Sequence, residues 1–228
     1  MYLLQVVKDG HFKSFSMRKR AKPKTILICV SGGSGSGKTT VAKTISQNLP
    51  KNLKTQIVCQ DNYYLPFDDK SLAQRRKINF DHPDSFDWNL LINQIKDLLN
   101  RKSIDIPVYD YKNYTRSKKT IKARPANVII FEGITTFYCP EIEKLASLKI
   151  FVDTPSDERL SRRIERDTLQ RNRSLKSIIK QWRKTVRPMY REYIEPQKLR
   201  ADLIIPWYTI NEVAMQAITG AINDFFKK

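Results

Sequence analysis

Apolar and polar positions alternate along the chain in blocks typical of strands followed by helices. Five short apolar runs predict buried strands, at residues 25–30, 55–60, 128–131, 149–153 and 201–205. Apolar residues at helical spacing predict helices at residues 39–49, 88–100, 141–147, 155–170, 175–187 and 211–226, with Asp87 as the N-cap of the second. Because strands separated by helices pair in parallel, this rhythm predicts a doubly wound α/β sheet with helices on both faces.

Two segments depart from this rhythm. Residues 104–116 are rich in Pro and Tyr, and together with residues 120–124 they predict a small antiparallel ribbon near the carboxyl ends of the strands, where α/β proteins bind ligands. Residues 11–24 carry six basic side chains and no acidic one. We therefore predict a basic N-terminal extension over residues 1–24 and one folded domain over residues 25–228.

Charge and composition restrict the partners. The chain has 42 Lys plus Arg against 23 Asp plus Glu, a formal net charge of +19, which favours anionic partners such as nucleotides, nucleic acid or an acidic membrane surface. No apolar run approaches about 18 residues, so we expect no membrane association through a spanning helix. The three cysteines have no metal-ligand spacing and fit a reducing cytoplasm, where we expect the protein.

A glycine-rich run after the first predicted strand is the strongest chemical signal. The pattern Gly32-x4-Gly37-Lys38-Thr39 has P-loop spacing, in which backbone N–H groups turn toward phosphate oxygens, the lysine reaches the β- and γ-phosphates and the threonine hydroxyl serves Mg²⁺. A Gly/Ser linker fits poorly, because linkers do not join a buried strand to an amphipathic helix. The predicted nucleotide-binding residues are Gly32, Gly33, Ser34, Gly35, Ser36, Gly37, Lys38, Thr39 and Thr40.

Two acidic residues follow predicted strands. Asp61 comes directly after residues 55–60, and Glu132 directly after residues 128–131, so both carboxylates should emerge at the same sheet edge as the P-loop. Phosphoryl transfer needs a metal ion that neutralises phosphate charge and a base for the attacking hydroxyl. Taken singly, either acid also fits a helix cap or a solvated charge. Beside a P-loop, the two acids indicate a phosphotransferase site.

Further motifs follow in order along the chain. They are Gln60-Asp-Asn-Tyr-Tyr64, Asn79-Phe-Asp-His-Pro-Asp84, Ile106-Pro-Val-Tyr-Asp110, Phe131-Glu-Gly-Ile134, Phe151-Val-Asp-Thr154, Arg162-Arg-Ile-Glu-Arg-Asp167, Arg171-Asn-Arg173, Val186-Arg-Pro188, Ile194-Glu-Pro196 and Ala201-Asp-Leu-Ile-Ile-Pro206. With these motifs the chain resembles the uridine/cytidine kinases, which are P-loop kinases, from about Lys24 to the C-terminus.

This resemblance implies an activity and an assembly. The expected reaction is ATP-dependent phosphorylation of the ribose 5′-hydroxyl of uridine or cytidine to UMP or CMP in pyrimidine salvage. Mg²⁺ is expected as the metal, GTP as an alternative donor and a homotetramer as the assembly. Residues 25–228 would then be a P-loop nucleoside kinase domain with an Arg-rich helical lid.

The resemblance also implies roles for single residues. Asp61 matches the general base on the 5′-hydroxyl, which also lies near the magnesium, and Thr39 and Glu132 complete the metal site. Asp81 and Arg163 match the residues that hold the ribose 2′ and 3′ hydroxyls. Residues that match those around the pyrimidine and sugar are Tyr64, Phe80, Tyr109, Arg173 and Gln181.

Arginines are dense in the predicted lid. The resemblance places Arg166 and Arg171 over the triphosphate, where guanidinium groups stabilise charge that develops during transfer, and Arg166 joins Lys38 and Asp61 as a predicted catalytic residue. A solvated basic helix or a nucleic-acid patch is the simpler interpretation of the same run.

This chain departs from the family pattern at the base site. Tyr114 stands where uridine kinases carry a histidine that contacts the base, so it is the eighth predicted substrate-binding residue and raises a cytidine preference as a hypothesis. The segment Pro206-Trp207-Tyr208 replaces the family's Pro-Arg-Gly, and Asn172 replaces a glycine. The alternative functions are a P-loop kinase for another alcohol, phosphoribulokinase-like or pantothenate-kinase-like, and a nucleic-acid-binding NTPase, which we do not favour.

Overall fold

The computed structural model describes residues 25–227, so the predicted extension at residues 1–24 lies outside the described part of the chain. Within residues 25–227 there are seven strands: β1 (Ile26–Gly32), β2 (Thr55–Cys59), β3 (Ile104–Asp110), β4 (Thr115–Ala123), β5 (Val128–Gly133), β6 (Leu148–Asp153) and β7 (Leu203–Pro206). All five predicted strands are present.

Five of the strands form one parallel sheet in the order β2-β5-β1-β6-β7. Strand β1 lies in its centre, with Ile28 opposite Ile130 of β5 on one side and Leu148 of β6 on the other. Every residue of β1 is buried, which explains its unbroken apolar run. The loop after β1 is therefore held at the middle of the sheet's carboxyl edge.

The helical segments are α1 (Lys38–Asn48), α2 (Leu72–Arg75), α3 (Trp88–Leu99), α4 (Pro140–Leu145), α5 (Ser156–Arg171), α6 (Leu175–Gln181), α7 (Arg187–Met189) and α8 (Glu212–Lys227). The Asp87 carboxylate accepts a hydrogen bond from the Leu90 N–H at 3.0 Å, as predicted for the N-cap of α3. Short 3₁₀ turns lie at Gln60–Tyr63, Pro83–Ser85 and Glu195–Arg200.

Two separate apolar cores flank the sheet. On one face Leu27 and Cys29 pack with α3 and α4, and on the other Ile26, Ile28 and Val30 pack with α1 and α8. Because alternate strand residues point to opposite faces, one strand serves both cores. The predicted doubly wound fold with helices on both faces is confirmed.

The helix predicted at residues 175–187 is shorter than expected. Regular α-helix ends at Gln181, and the chain continues as wider π-helical turns at Trp182–Val186 and Tyr190–Ile194. Pro188 lies between those turns and has no N–H to donate, so a uniform α-helical ladder cannot run through this segment.

Strands β3 and β4 form the predicted antiparallel ribbon, with Tyr109 opposite Arg116. The tight connection between them includes Tyr114 with a φ of 53°, the left-handed conformation that tyrosine rarely adopts. None of the helices within residues 25–227 combines the length and the apolarity that a membrane crossing requires.

Candidate active site

The P-loop leads from the end of β1 into α1. Gly35 and Gly37 have φ values of 81° and 92°, which favour glycine, and α1 begins at Lys38. A Cβ at Gly35 would overlap the backbone oxygen of Arg159, and one at Gly37 would overlap the indole of Trp207. Close packing by Arg159 and Trp207 therefore holds the P-loop at residues 32–39, which we call the phosphate cradle. The N-terminus of α1 lies at its end.

Arg159 lies directly behind this loop. Its side chain is 4% exposed, its Nε donates to the Thr154 oxygen at 3.0 Å and its guanidinium lies 3.8 Å from the centre of the Tyr190 ring. Burial lowers the pKa of Arg159, while the Tyr190 hydroxyl and the Asp153 carboxylate oppose that shift. Sequence reasoning did not select Arg159, because its role depends on packing against a loop more than 120 residues away along the chain.

The hydroxyls of Thr154 and Ser36 differ in their partners. Thr154 Oγ1 lies 2.9 Å from the backbone carbonyl oxygen of Ser36 and 3.1 Å from that of Trp207, within hydrogen-bond distance of both. The buried Ser36 Oγ has no hydrogen-bond partner among residues 25–227. An unpartnered buried hydroxyl in the loop that leads into the N-terminus of α1 fits a site that binds phosphate oxygens.

Thr39 and Glu132, two residues of the predicted metal site, are in direct contact, and Lys38 bonds back to the P-loop. Thr39 Oγ1 donates to Glu132 Oε1 at 3.0 Å, and Lys38 Nζ donates to the Gly33 oxygen at 3.1 Å. Burial raises the pKa of Glu132, which the Lys38 ammonium opposes, and burial lowers the pKa of Lys38, which Glu132 and Asp61 oppose. The Glu132 carboxylate and the Thr39 hydroxyl are oxygen donors of the kind that Mg²⁺ prefers.

Asp61 follows β2 and is held by a residue from the ribbon. Tyr111 Oη donates to Asp61 Oδ2 at 2.8 Å, a contact that sequence reasoning did not predict. Burial lowers the pKa of Lys38, which the Asp61 charge partly opposes, and burial raises the pKa of Asp81, to which the Asp61 charge adds. Asp61 is therefore near enough to both Lys38 and the predicted ribose carboxylate to act on their charges.

The two predicted ribose residues are both buried. Asp81 and Arg163 are 7% and 4% exposed. Burial raises the pKa of Asp81, while the Arg163 guanidinium and the Thr185 hydroxyl oppose the rise. Thr185 Oγ1 donates to Asp81 Oδ2 at 3.2 Å. Sequence reasoning missed Thr185, whose place beside Asp81 depends on the π-helical turn of residues 182–186.

Gln181 joins two of the predicted arginines. Its Oε1 accepts from Arg163 Nη2 at 2.8 Å and from Arg173 Nη1 at 2.9 Å. Arg163 Nη1 also donates to Ser34 Oγ in the P-loop at 2.6 Å. These bonds connect the phosphate cradle with the predicted substrate side of the site.

The predicted aromatic residues form one cluster. Ring centres lie 5.1 Å apart for Tyr64 and Phe80, 5.0 Å for Tyr64 and Tyr109, and 5.8 Å for Phe80 and Tyr114. Tyr114 Oη accepts from Arg173 Nη2 at 3.4 Å, and the buried Tyr109 hydroxyl has no partner in the described chain. The cluster thus offers flat apolar surface with three phenol groups.

Four predicted site arginines, among them the two lid arginines Arg166 and Arg171, share one carboxylate. Asp167 has no exposed surface, and the distances from its carboxylate to the guanidinium groups of Arg163, Arg166, Arg171 and Arg173 are 3.6, 2.8, 3.6 and 3.4 Å. Burial would raise the pKa of Asp167, but Arg166 and Arg163 hold it below its ordinary value. Asp167 was not predicted as a site residue, although its i, i+4 spacing from Arg163 was an available signal.

Comparison with known sequences identifies the family of this chain. The sequence model described as "Phosphoribulokinase / Uridine kinase family" matches residues 27–214. The chain belongs to the phosphoribulokinase/uridine kinase family. As a member of that family it is a P-loop kinase, which agrees with the glycine-rich loop at the centre of the sheet.

Close relatives agree with this membership, and a solved structure agrees with the fold. A uridine kinase of Mycoplasma genitalium is 52% identical over 205 residues, which is 90% of this chain and 96% of the relative. A uridine kinase of Ureaplasma urealyticum is 46% identical and covers 87% of this chain and 96% of its own length. A Bacillus stearothermophilus structure, described as a possible uridine kinase, superposes with a TM-score of 0.56 over 79% of this chain and 88% of that chain at 18% identity, which supports the fold.

Proposed function

We propose that this family member transfers the γ-phosphate of ATP to the ribose 5′-hydroxyl of uridine or cytidine. The position of Asp61 carries the proposal: it follows β2 at the carboxyl edge of the sheet, where the P-loop also lies, and it is bonded to Tyr111, whose ring lies 5.2 Å from that of Tyr109 in the aromatic cluster. A base between a triphosphate site and a sugar site is the arrangement that phosphorylation of an alcohol requires. The relatives named uridine kinase support the choice of substrate class.

The phosphate side of the site would hold the donor. The P-loop backbone and Ser36 would bind phosphate oxygens, and Lys38 would neutralise their charge. Thr39, Glu132 and Asp61 would hold Mg²⁺, which when bound neutralises phosphate charge. Arg166 and Arg171 of α5 would stabilise the negative charge of the same phosphates. GTP would serve as an alternative donor.

The sugar side would hold the acceptor. Asp81 and Arg163 would bind the 2′ and 3′ hydroxyls, while Tyr64, Phe80 and Tyr109 would surround the pyrimidine and the sugar. The reaction forms a bond between the 5′ oxygen and the γ-phosphorus and breaks the bond from that phosphorus to the β–γ bridging oxygen. The proton of the 5′-hydroxyl passes to Asp61, and ADP leaves.

We further propose that the enzyme prefers cytidine. Tyr114 contacts Arg173 at 3.4 Å and presents one hydroxyl, whereas a histidine at this position offers a ring donor and a ring acceptor. Uridine presents O4 with N3–H and cytidine presents N4–H₂ with N3. A different hydrogen-bonding group at position 114 would therefore change which of the two bases is preferred.

The family resemblance further suggests a homotetramer in the cytoplasm. Sedimentation velocity would test the assembly, and cell fractionation would test the location.

ADP release by the purified protein, measured over a panel of ribo- and deoxyribonucleosides, tests the function. We expect activity with cytidine and uridine and little with their 2′-deoxy forms. Asp61→Asn should abolish transfer, because an amide cannot accept the proton. Activity with another small alcohol but no nucleoside would point to a different kinase of this family, and ATP hydrolysis stimulated by polynucleotides would point to a nucleic-acid-binding NTPase.

A further inference from the structure

Tyr111 connects the predicted base with the ribbon. It follows β3 directly, and its hydroxyl donates to Asp61 Oδ2 at 2.8 Å. The phenol is the donor in this bond, because an ionised carboxylate can only accept. The bond uses one lone pair of Oδ2, so Oδ1 and the second lone pair of Oδ2 stay available for the proposed substrate hydroxyl and the proposed Mg²⁺.

The same side chain also contacts the predicted lid. The guanidinium carbon of Arg171 lies 4.1 Å from the centre of the Tyr111 ring, within the range of a cation–π contact. Arg171 approaches Asp167 at 3.6 Å, and Asp167 holds Arg166 at 2.8 Å. One continuous path of contacts therefore runs from Asp61 through Tyr111 to the arginines of α5.

We propose that Tyr111 is a positioning residue for phosphoryl transfer, which fixes the rotation of the Asp61 carboxylate and aligns it with Arg171. This inference rests on the proposed function of the site. The hydroxyl acts on Asp61, and the ring acts on Arg171, so the two halves of one side chain have separable effects. A carboxylate that rotates freely spends less time in the geometry that accepts the proton, so Tyr111 contributes mainly to turnover.

Kinetics of matched variants test this role. Tyr111→Phe removes only the hydroxyl and should lower kcat about tenfold, with the KM of cytidine and of ATP changed less than about twofold. Tyr111→Leu also removes the ring and should lower kcat further and raise the KM of ATP. Tyr63→Phe is the control and should leave kcat unchanged. The Tyr63 hydroxyl donates to Gln94 Oε1 at 2.6 Å, and neither residue belongs to the proposed reacting groups.

A cycle with Arg171 separates the two halves. Arg171→Gln should lower kcat less in the Tyr111→Leu background than in the wild type, because the ring contact is already gone, whereas its effect should be undiminished in the Tyr111→Phe background. Normal kcat in Tyr111→Phe, or a fall equal to that in Tyr63→Phe, would overturn the proposal.

Thermal unfolding gives a readout that does not depend on activity. The Tm shifts of Tyr111→Phe and Asp61→Asn should be non-additive in the double variant, because both remove the same hydrogen bond. Additive shifts would show that the contact is absent in solution and would overturn the inference. An inactive wild type with non-additive shifts would instead refute the proposed function together with the role of Tyr111 in transfer, leaving only the contact.

Discussion

The Asp167 carboxylate lies 2.8 Å from the Arg166 guanidinium and has no exposed surface. It is the shared anion that holds the proposed lid arginines together. Removal of a buried carboxylate that has several cationic partners strongly destabilises a protein, because the cations are left uncompensated. Loss of this one charge should therefore weaken the whole arginine cluster of α5.

Asp167→Asn should lower the free energy of unfolding by about 3 kcal/mol at pH 7. Since the pKa of Asp167 is lowered in the folded protein, its stabilisation is complete above the unfolded value of about 3.9 and is lost as the pH falls through the folded value. The difference between wild type and variant in urea unfolding should therefore shrink below about pH 4.

Glu165→Gln is the matched control for this prediction, because Glu165 is an exposed acid on the same helix. Its effect on the free energy of unfolding should stay within about 0.5 kcal/mol both at pH 7 and below about pH 4. An equal effect of the two substitutions would contradict the role given to Asp167.

Gly35→Ala should damage the phosphate cradle. The added Cβ would overlap the Arg159 carbonyl, and alanine is strained at a φ of 81°. We expect a loss of stability of more than about 1 kcal/mol and weaker ATP binding by calorimetry.

Gly220→Ala provides the contrast, because Gly220 lies within α8 and an alanine methyl there would meet nothing within 4 Å in the described chain apart from its chain neighbours and the nearby backbone of the helix itself. It should raise the free energy of unfolding by about 0.5–1 kcal/mol and leave ATP affinity unchanged. Similar behaviour of the two variants would mean that Gly35 is not closely packed.

Asp81→Asn should relax the discrimination between ribose and deoxyribose. A site built around two hydroxyls leaves a buried polar group unpaired when one hydroxyl is missing, so the wild type should prefer cytidine over 2′-deoxycytidine by about a hundredfold or more. The variant should lose most of that ratio in kcat/KM. Equal turnover of the two nucleosides by the wild type would remove Asp81 from the ribose site.

Arg166→Ala should lower kcat by about a hundredfold or more while changing the KM of the nucleoside less than about threefold, because its guanidinium would stabilise charge that develops during transfer. Arg166→Lys should recover only part of the loss, since an ammonium cannot reproduce the planar fork. Normal turnover of Arg166→Ala in the ADP-release assay would exclude Arg166 from the mechanism.

Tyr114→His should raise the ratio of kcat/KM for uridine over that for cytidine by about tenfold, because a histidine supplies both a donor and an acceptor near the base. Tyr114→Phe should lower the activity on cytidine without a gain for uridine. Competition of both nucleosides in one reaction measures the ratio, and a wild type that clearly prefers uridine would refute the cytidine hypothesis.

Local signals were sufficient for much of the fold. Strand β1 is an unbroken apolar run, Asp87 caps α3 within three residues, and the P-loop is a contiguous motif. Asp61 and Glu132 were predicted at one sheet edge because parallel strands end there together, and their shared effect on the Lys38 pKa agrees with that placement.

The sequence by itself determined the order of strands and helices and the phosphate cradle, because each depends on residues close together in the chain. It also determined the family, because that depends on short motifs and their order along the chain. Tertiary structure decided the partners: Tyr111 on Asp61 across 50 residues, Thr185 on Asp81 across 104, and Arg159 behind the P-loop. Such contacts depend on how the ribbon and the π-helical turns pack against the sheet, and no periodicity in the chain encodes that packing.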